Sequence, residues 1–248
     1  MDTLNEYRLE IDEIDSHILE LFTERMALAE KIGEYKRANG LPTEDKLREE
    51  ALIQKQAGND RDKAALLREI MNISKAVQRR CYNIYIIGMP YSGKSTLLES
   101  IAPHTQRDCT DTDSMIEKKC SMSVFDIFQS HGEEYFRKVE TEVLCELAKQ
   151  GSCVVSTGGG ILKSEENRRI IHASGYTVLC DTPPDVLCRA FEADMQRSRP
   201  LIRSSEDLEI LYFERFKLYR ENADLIINPQ RKDALQSVLS FMEEKELI

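Results

Sequence analysis

The sequence predicts two domains of different class: an all-α N-terminal domain of three helices over residues 1–81, and an α/β domain with a parallel sheet over residues 82–248. Three observations carry this. Residues 4–35 repeat apolar side chains at heptad spacing, and no strand pattern occurs before residue 82. Asn83 to Ile87 form a β-branched and aromatic run, and it leads directly into Gly88-Met89-Pro90-Tyr91-Ser92-Gly93-Lys94-Ser95, which fits G-x-x-x-x-G-K-[ST]. Beyond that loop, strand and helix patterns alternate.

A chain of 248 residues is comfortable for two domains, and 41% hydrophobic content supports real cores. The net charge of −10 divides into −3 over residues 1–81 and −7 over 82–248. Neither half carries the basic excess that nucleic acid or an anionic membrane attracts, so neither is expected as a partner. Any cation that binds an anionic ligand must be locally placed. The seven cysteines show no C-x-x-C pair and no histidine at zinc spacing, which suits reduced thiols in the cytoplasm. Neither a signal segment nor an apolar run of about 20 residues is present, so export and membrane insertion are not expected.

Thr3-x-x-Glu6 is a capping-box pattern that opens the first helix. Leu4, Ile11, Ile18, Arg25 and Ile32 then take the a positions of a seam, with Tyr7, Ile14, Leu21, Leu28 and Tyr35 at d. The seam ends at Asn39-Gly40, with Pro42 beyond. A helix of about 35 residues is about 50 Å long, too long to be covered within a small domain, so it is expected to lie against a second copy of itself. Gly33 weakens this helix slightly. A second helix is expected at about 44–56 and a third at about 61–80, separated by Gly58-Asn59-Asp60. Arg25 at an a position would be costly to bury unless paired. Arg8, Asp15 and Lys36 flank the seam; Asp45, Arg48 and Glu49 share one face of the second helix, and Ser74 and Gln78 one face of the third. From spacing alone these polar residues read equally well as register-setting groups of a coiled coil.

Residues 4–80 resemble the all-helical class of chorismate mutases, which rearrange chorismate to prephenate between helices of an intertwined dimer. The resemblance implies a homodimer in which Arg8 reaches into the partner's site. It implies that Arg8, Arg25 and Arg48 hold the two carboxylates of chorismate, and that Lys36 and Gln78 donate to its ether oxygen. Asp45 and Glu49 would bind the hydroxyl side, with Ser74 also in the pocket. The reaction is pericyclic and implies no cofactor; what helps is to hold a dianion in its reactive conformer and to stabilise charge on the ether oxygen. The connection between the second and third helices is shorter than in the family.

In the second half, the phosphate loop explains its own spacing. Backbone N–H groups turned inward at a helix N-terminus make an anion cradle. Gly88 and Gly93 permit close approach, Lys94 reaches the β/γ oxygens, the Ser95 hydroxyl can ligate Mg2+, and Thr96 follows at the helix start. Asp111 and Asp113, at the end of a second strand, could serve metal and acceptor, or cap the helix that follows. Arg137 and Glu140 stand one turn apart, so the acid can orient the guanidinium; a plain surface salt bridge has the same spacing. A strand over 153–157 ends in Gly158-Gly159-Gly160, which suggests backbone lying directly against a ligand. A strand over 176–180, a helix over 184–193, a strand over 224–227 and a final helix complete the pattern. Arg197, Arg199 and Arg203 lie in a polar segment that reads as a lid over phosphates or as solvated loop charge.

Residues 83–245 resemble shikimate kinase through G-x-x-x-x-G-K-S, D-T-D, F-R-x-x-E, G-G-G, R-P-L and E-R-x-x-L-Y. The resemblance implies ATP and Mg2+ as cofactors and shikimate as substrate. Asp113, Arg137, Gly158, Gly159, Gly160 and Arg215 would bind shikimate, with Arg137 and Arg215 on its carboxylate and Asp113 on the acceptor hydroxyl. Lys94 and Arg199 would stabilise the transferring phosphoryl group, and Ser95 and Asp111 would hold the metal. Lys217 departs from the proline usual in the last motif. The expectation is a bifunctional enzyme of aromatic amino-acid biosynthesis. The alternative is a shikimate kinase carrying a catalytically silent helical module for dimerisation or effector binding.

Overall fold

The structure, a computed structural model, describes residues 3–79, 81–194, 202 and 204–248. The N-terminal part is three helices: α1 (Thr3–Ala38), α2 (Lys46–Ala57) and α3 (Arg61–Arg79). α1 buries Ala29, Gly33 and Arg37, one residue per turn on the face toward α3. Gly33 explains itself in this packing: a Cβ there would lie 3.1 Å from the Gln78 Cα and 3.2 Å from its carbonyl oxygen. The glycine that weakens α1 is what lets α1 and α3 cross closely. Most of the heptad side chains point elsewhere, and Leu4, Ile11, Ile14, Ile18, Leu21 and Tyr35 are each more than half exposed in the single chain. Asp45 does not stand on the face of the second helix. It is the N-cap of α2, its side chain accepting from the Arg48 N–H at 3.1 Å.

α3 runs almost directly into the sheet, with the Tyr82 N–H bonded to the Arg79 carbonyl at 2.8 Å. Five strands follow: β1 (Asn83–Gly88), β2 (Asp108–Asp111), β3 (Cys153–Ser156), β4 (Gly175–Cys180) and β5 (Leu225–Ile227). They pair in parallel in the order β2-β3-β1-β4-β5. The helices are α4 (Lys94–Ile101), α5 (Thr112–Cys120), α6 (Val124–Gln150), α7 (Glu165–Ser174), α8 (Pro184–Ala193), α9 (Ser205–Glu221) and α10 (Ala234–Glu244).

The central strand shows why its sequence is apolar throughout. Ile84 and Ile86 enter one core with Leu97 and Ile101 of α4 and Val238 and Phe241 of α10. Tyr85 and Ile87 enter the other with Val143 and Leu144 of α6 and Leu187 of α8. A parallel strand covered on both faces has no solvent side to make polar. α6 breaks at Gly132, where φ is 81° and ψ 174°, so the segment before Gly132 turns away from the segment carrying Arg137. All seven cysteines are free thiols. Among the described residues no helix is long and apolar enough to cross a membrane.

Candidate active sites

The C-terminal end of β1 opens into the phosphate loop. Gly88 has φ 146°, and a Cβ there would lie 2.8 Å from the Cys180 carbonyl oxygen and 2.9 Å from Ser92 Oγ. Gly93 is left-handed, φ 86°, and caps α4 without a side-chain hydrogen bond, so the first N–H groups of the helix face the loop. The Ser92 hydroxyl is buried without a hydrogen-bond partner among the described residues. Lys94, only 9% exposed, donates from Nζ to the carbonyls of Gly88 at 3.1 Å and Met89 at 2.7 Å. Ser95 and Thr96 are exposed at the mouth. The donor-rich concavity fits a chain of phosphates. Beside it lies a cavity of about 280 Å³ lined by Thr96, Thr182, Pro229, Gln230 and Arg231. Sequence reasoning missed Thr182 and the Pro229–Arg231 segment; the only signal was the turn dipeptide Asn228-Pro229 after β5.

A second cavity, of about 70 Å³, is walled by Asp113, Arg137, Gly158, Gly159, Gly160 and Arg215, with Val124, Phe128 and Phe136 as its apolar side. Arg137 Nη1 donates to both Glu140 oxygens, at 3.0 and 2.8 Å. Its Nε and Nη2 donate to Glu133 Oε1 at 3.2 and 3.1 Å. Burial of Glu140, 1% exposed, pushes its carboxyl up against the pull of Arg137. Burial draws Arg137 down, but the Glu140 and Glu133 carboxylates more than offset it and leave the guanidinium raised. This is an oriented ion pair at a cavity wall, not surface charge. Arg215 donates from Nη1 to the Gly159 carbonyl at 2.8 Å, and the Tyr219 hydroxyl donates to the same oxygen.

The three glycines have a reason beside the one the sequence suggested. A Cβ at Gly158 would meet Asp113 Oδ1 at 2.9 Å, at Gly159 the Pro90 ring at 2.8 Å, and at Gly160 Arg137 Nη2 at 2.5 Å. They make room for the site's own side chains. Asp111 caps α5, its Oδ1 accepting from the N–H groups of Asp113 at 2.9 Å and Ser114 at 3.3 Å. Arg199, with Arg197, Arg203 and the R-P-L segment, lies outside the described residues.

The helical module holds a cavity of about 280 Å³ lined by Arg25, Lys36, Asp45, Arg48, Glu49, Ser74 and Gln78. The residues singled out from spacing therefore converge, apart from Asp15, which is exposed on α1, and Arg8. That side chain is exposed on α1, its Nη1 3.5 Å from Asn5 Oδ1. Arg25 meets no carboxylate among the described residues; it donates to the Ser74 hydroxyl and, at 3.4 Å, to the Ile70 carbonyl. Burial lowers its pKa and the Arg48 charge lowers it further. Lys36 Nζ donates to the Thr43 carbonyl at 2.6 Å. Glu49 is paired with Lys75 at 3.2 Å, a pocket residue that the sequence reading missed because nothing in the stripe of α3 distinguishes it from surface charge. Gln78 Oε1 is buried without a partner among the described residues. Two close cations give this cavity the charge that suits an anion, and the orphaned Gln78 amide oxygen offers an acceptor to a donor group.

A parallel sheet with a phosphate loop at the end of its central strand, beside an arginine-walled acceptor cavity, defines a P-loop kinase for a small acidic metabolite. The comparisons with known proteins narrow the class. The shikimate kinase model matches residues 90–246, and the chain belongs to the shikimate kinase family. Residues 7–79 match the chorismate mutase type II model, so domains of both families are present in one chain. A shikimate kinase of Clostridium botulinum (strain 657 / Type Ba4) is 35% identical over 159 residues, covering 63% of this chain and 94% of its own length. One of Nitrosococcus oceani is 38% identical over 149 residues, covering 59% of this chain and 77% of its own. The solved structure of shikimate kinase from Acinetobacter baumannii in complex with shikimate matches with TM-score 0.61 at 31% identity, over 67% of this chain and 96% of that one.

Proposed function

We propose that the chain is a bifunctional cytoplasmic enzyme of aromatic amino-acid biosynthesis, with residues 82–248 phosphorylating shikimate from ATP and residues 1–81 rearranging chorismate to prephenate. The observation that carries this reading is the pair of separate arginine-lined cavities, one beside the phosphate loop and one among the N-terminal helices, which share no lining residue.

In the kinase half, Arg137 and Arg215 would take the shikimate carboxylate. Glu140 already fixes the Arg137 fork, so little orientation remains to be imposed when the substrate arrives. Asp113, on the same wall, would hold the acceptor hydroxyl and take its proton. Lys94 would exchange its loop carbonyls for phosphate oxygens. ATP supplies the phosphoryl group, and Mg2+ would be held by Ser95 and, through water, Asp111. Arg199 would add charge stabilisation to the transferring phosphoryl group. The cavity beside Thr182 and Pro229 is where we place the nucleotide base.

In the mutase half, Arg25 and Arg48 repel each other, and a dianion would relieve that repulsion by placing a carboxylate on each. Lys36 and Gln78 would donate to the ether oxygen. Glu49, tethered by Lys75, and Asp45 would bind the hydroxyl side, with Ser74 holding Arg25 in place. The exposed seam of α1 would pair with a second copy, and the partner's Arg8 would complete the pocket.

Purified protein given chorismate alone, without ATP or Mg2+, should form prephenate, and Arg25→Ala should abolish this with the dimer preserved. A folded dimer that converts nothing overturns the mutase half and leaves a silent helical module. Given ATP and shikimate, the protein should make shikimate 3-phosphate, and Arg137→Ala should raise the KM for shikimate about a hundredfold while sparing that for ATP. Phosphorylation of a different acceptor with shikimate inert overturns the substrate assignment.

A further inference from the structure

The segment between α1 and α2 supplies Thr43 and Asp45 to the helical pocket, yet two of its side chains are held from outside the pocket. The Thr43 hydroxyl is hydrogen-bonded to the Tyr82 hydroxyl. The next residue, Glu44, accepts from Arg79 Nη2 at 3.1 Å. Tyr82 stands at the threshold of β1 and is anchored in the kinase core. It is 7% exposed, its ring lies 5.6 Å from that of Tyr176, and its carbonyl accepts from Arg107 Nη1 at 2.7 Å. The other end of the relay is Lys36, whose Nζ donates to the Thr43 carbonyl at 2.6 Å.

We propose that Tyr82, a residue of the kinase core, is a positioning residue for the mutase reaction: it fixes Thr43, and the Thr43 carbonyl aims Lys36 into the pocket. The inference rests on the mutase reading of that cavity. Lys36 carries its ammonium on a flexible four-carbon arm with three rotatable donors. One donor given to a fixed carbonyl leaves the other two with defined directions; a carbonyl on a free loop would define nothing. Asn39, Gly40 and Leu41 are bonded back to the last turn of α1, and beyond them the side chains of Thr43 and Glu44 are held by Tyr82 and Arg79. On this account the kinase domain is part of the scaffold of the mutase site, and the two catalytic units are not merely tethered.

Tyr82→Phe tests this in the full chain, since it keeps the ring in its core and removes only the hydroxyl. The expected result is a fall in mutase kcat of about tenfold with KM for chorismate little changed, and kinase kcat/KM within about twofold of the original. Thr43→Val should reproduce the loss without adding to it in the double variant, and Thr43→Ser should retain activity. In a Lys36→Ala background, Tyr82→Phe should cost less than about twofold, because the residue it acts through is gone. Unchanged mutase kcat in Tyr82→Phe overturns the inference, as does a tenfold loss that persists without Lys36. An original chain that converts no chorismate removes the mutase reading itself, a different failure from an active enzyme indifferent to the Tyr82 hydroxyl.

Discussion

At the scale of single residues, the kinase pocket is shaped by atoms that are absent. The nearest neighbour of a Cβ at Gly160 would be the tip of the Arg137 side chain, 2.5 Å away, whereas at Gly159 it would be the rigid Pro90 ring. The two substitutions should therefore fail differently. Gly160→Ala can be accommodated by moving the guanidinium, so we expect stability to change by no more than about 1 kcal/mol while the KM for shikimate rises at least about tenfold. Gly159→Ala has nothing flexible to displace and should lower stability by about 1–3 kcal/mol. Thermal unfolding alongside shikimate saturation kinetics separates the two. The polar residues and glycines of this pocket were legible in the sequence because each sits in a short motif whose spacing is set by local geometry, whereas its apolar side, Val124 and Phe128, was not. Thr43, Lys75, Thr182 and Pro229 were not, because their meaning comes from what the fold brings beside them. For Gly158, Gly159 and Gly160 the reading was incomplete on the same ground: a run of glycines signals close approach, but the sequence does not say which of the site's own atoms approach.

Among the elements, α1 has two faces with different employment. The inward face carries Ala29, Gly33 and Arg37 and is covered within the chain, although Arg37 Nε and Nη1 are buried there without a hydrogen-bond partner among the described residues. The seam, from Leu4 to Tyr35, is not, and its heptad spacing was readable because a period needs no tertiary knowledge. If α1 pairs with a second copy as proposed, replacing Ile11 and Ile18 by Glu should convert that dimer to monomer in light scattering and abolish mutase turnover, with the kinase reaction retained. A dimer that persists would relocate the interface. Gly33 separates helix propensity from helix packing. Gly33→Ala should gain about 1 kcal/mol in α1 itself. The clash at Gln78 should cost about 1–3 kcal/mol, so the net effect is a lower melting temperature and impaired mutase turnover. A rise in melting temperature with mutase intact would show that α1 and α3 can part freely. The second helix was placed a residue or two early because Asp45 fits a helical face and an N-cap equally well in sequence; only the cap bond to the Arg48 N–H distinguishes them.

For the whole molecule, the alternation of strands and helices after residue 82 and its absence before fixed the division into two classes, and the parallel sheet follows it. What no motif disclosed is the traffic across the junction, where Arg79, Tyr82 and Arg107 tie helices, sheet and loop together. The two catalytic cavities nonetheless use different residues, so Lys94→Ala should silence phosphorylation and leave the chorismate rearrangement within about twofold. Loss of both activities in that folded variant would show coupling through the junction.

The outward position of Arg8 has a consequence for mixtures. If each pocket borrows this arginine from its neighbour, Arg8→Ala and Arg25→Ala chains are both dead alone, yet a hybrid pair contains one pocket with both arginines whole and one lacking both. Random re-pairing of equal amounts should therefore restore about a quarter of the original mutase turnover. Two broken genes would then complement each other at the level of the protein, without recombination.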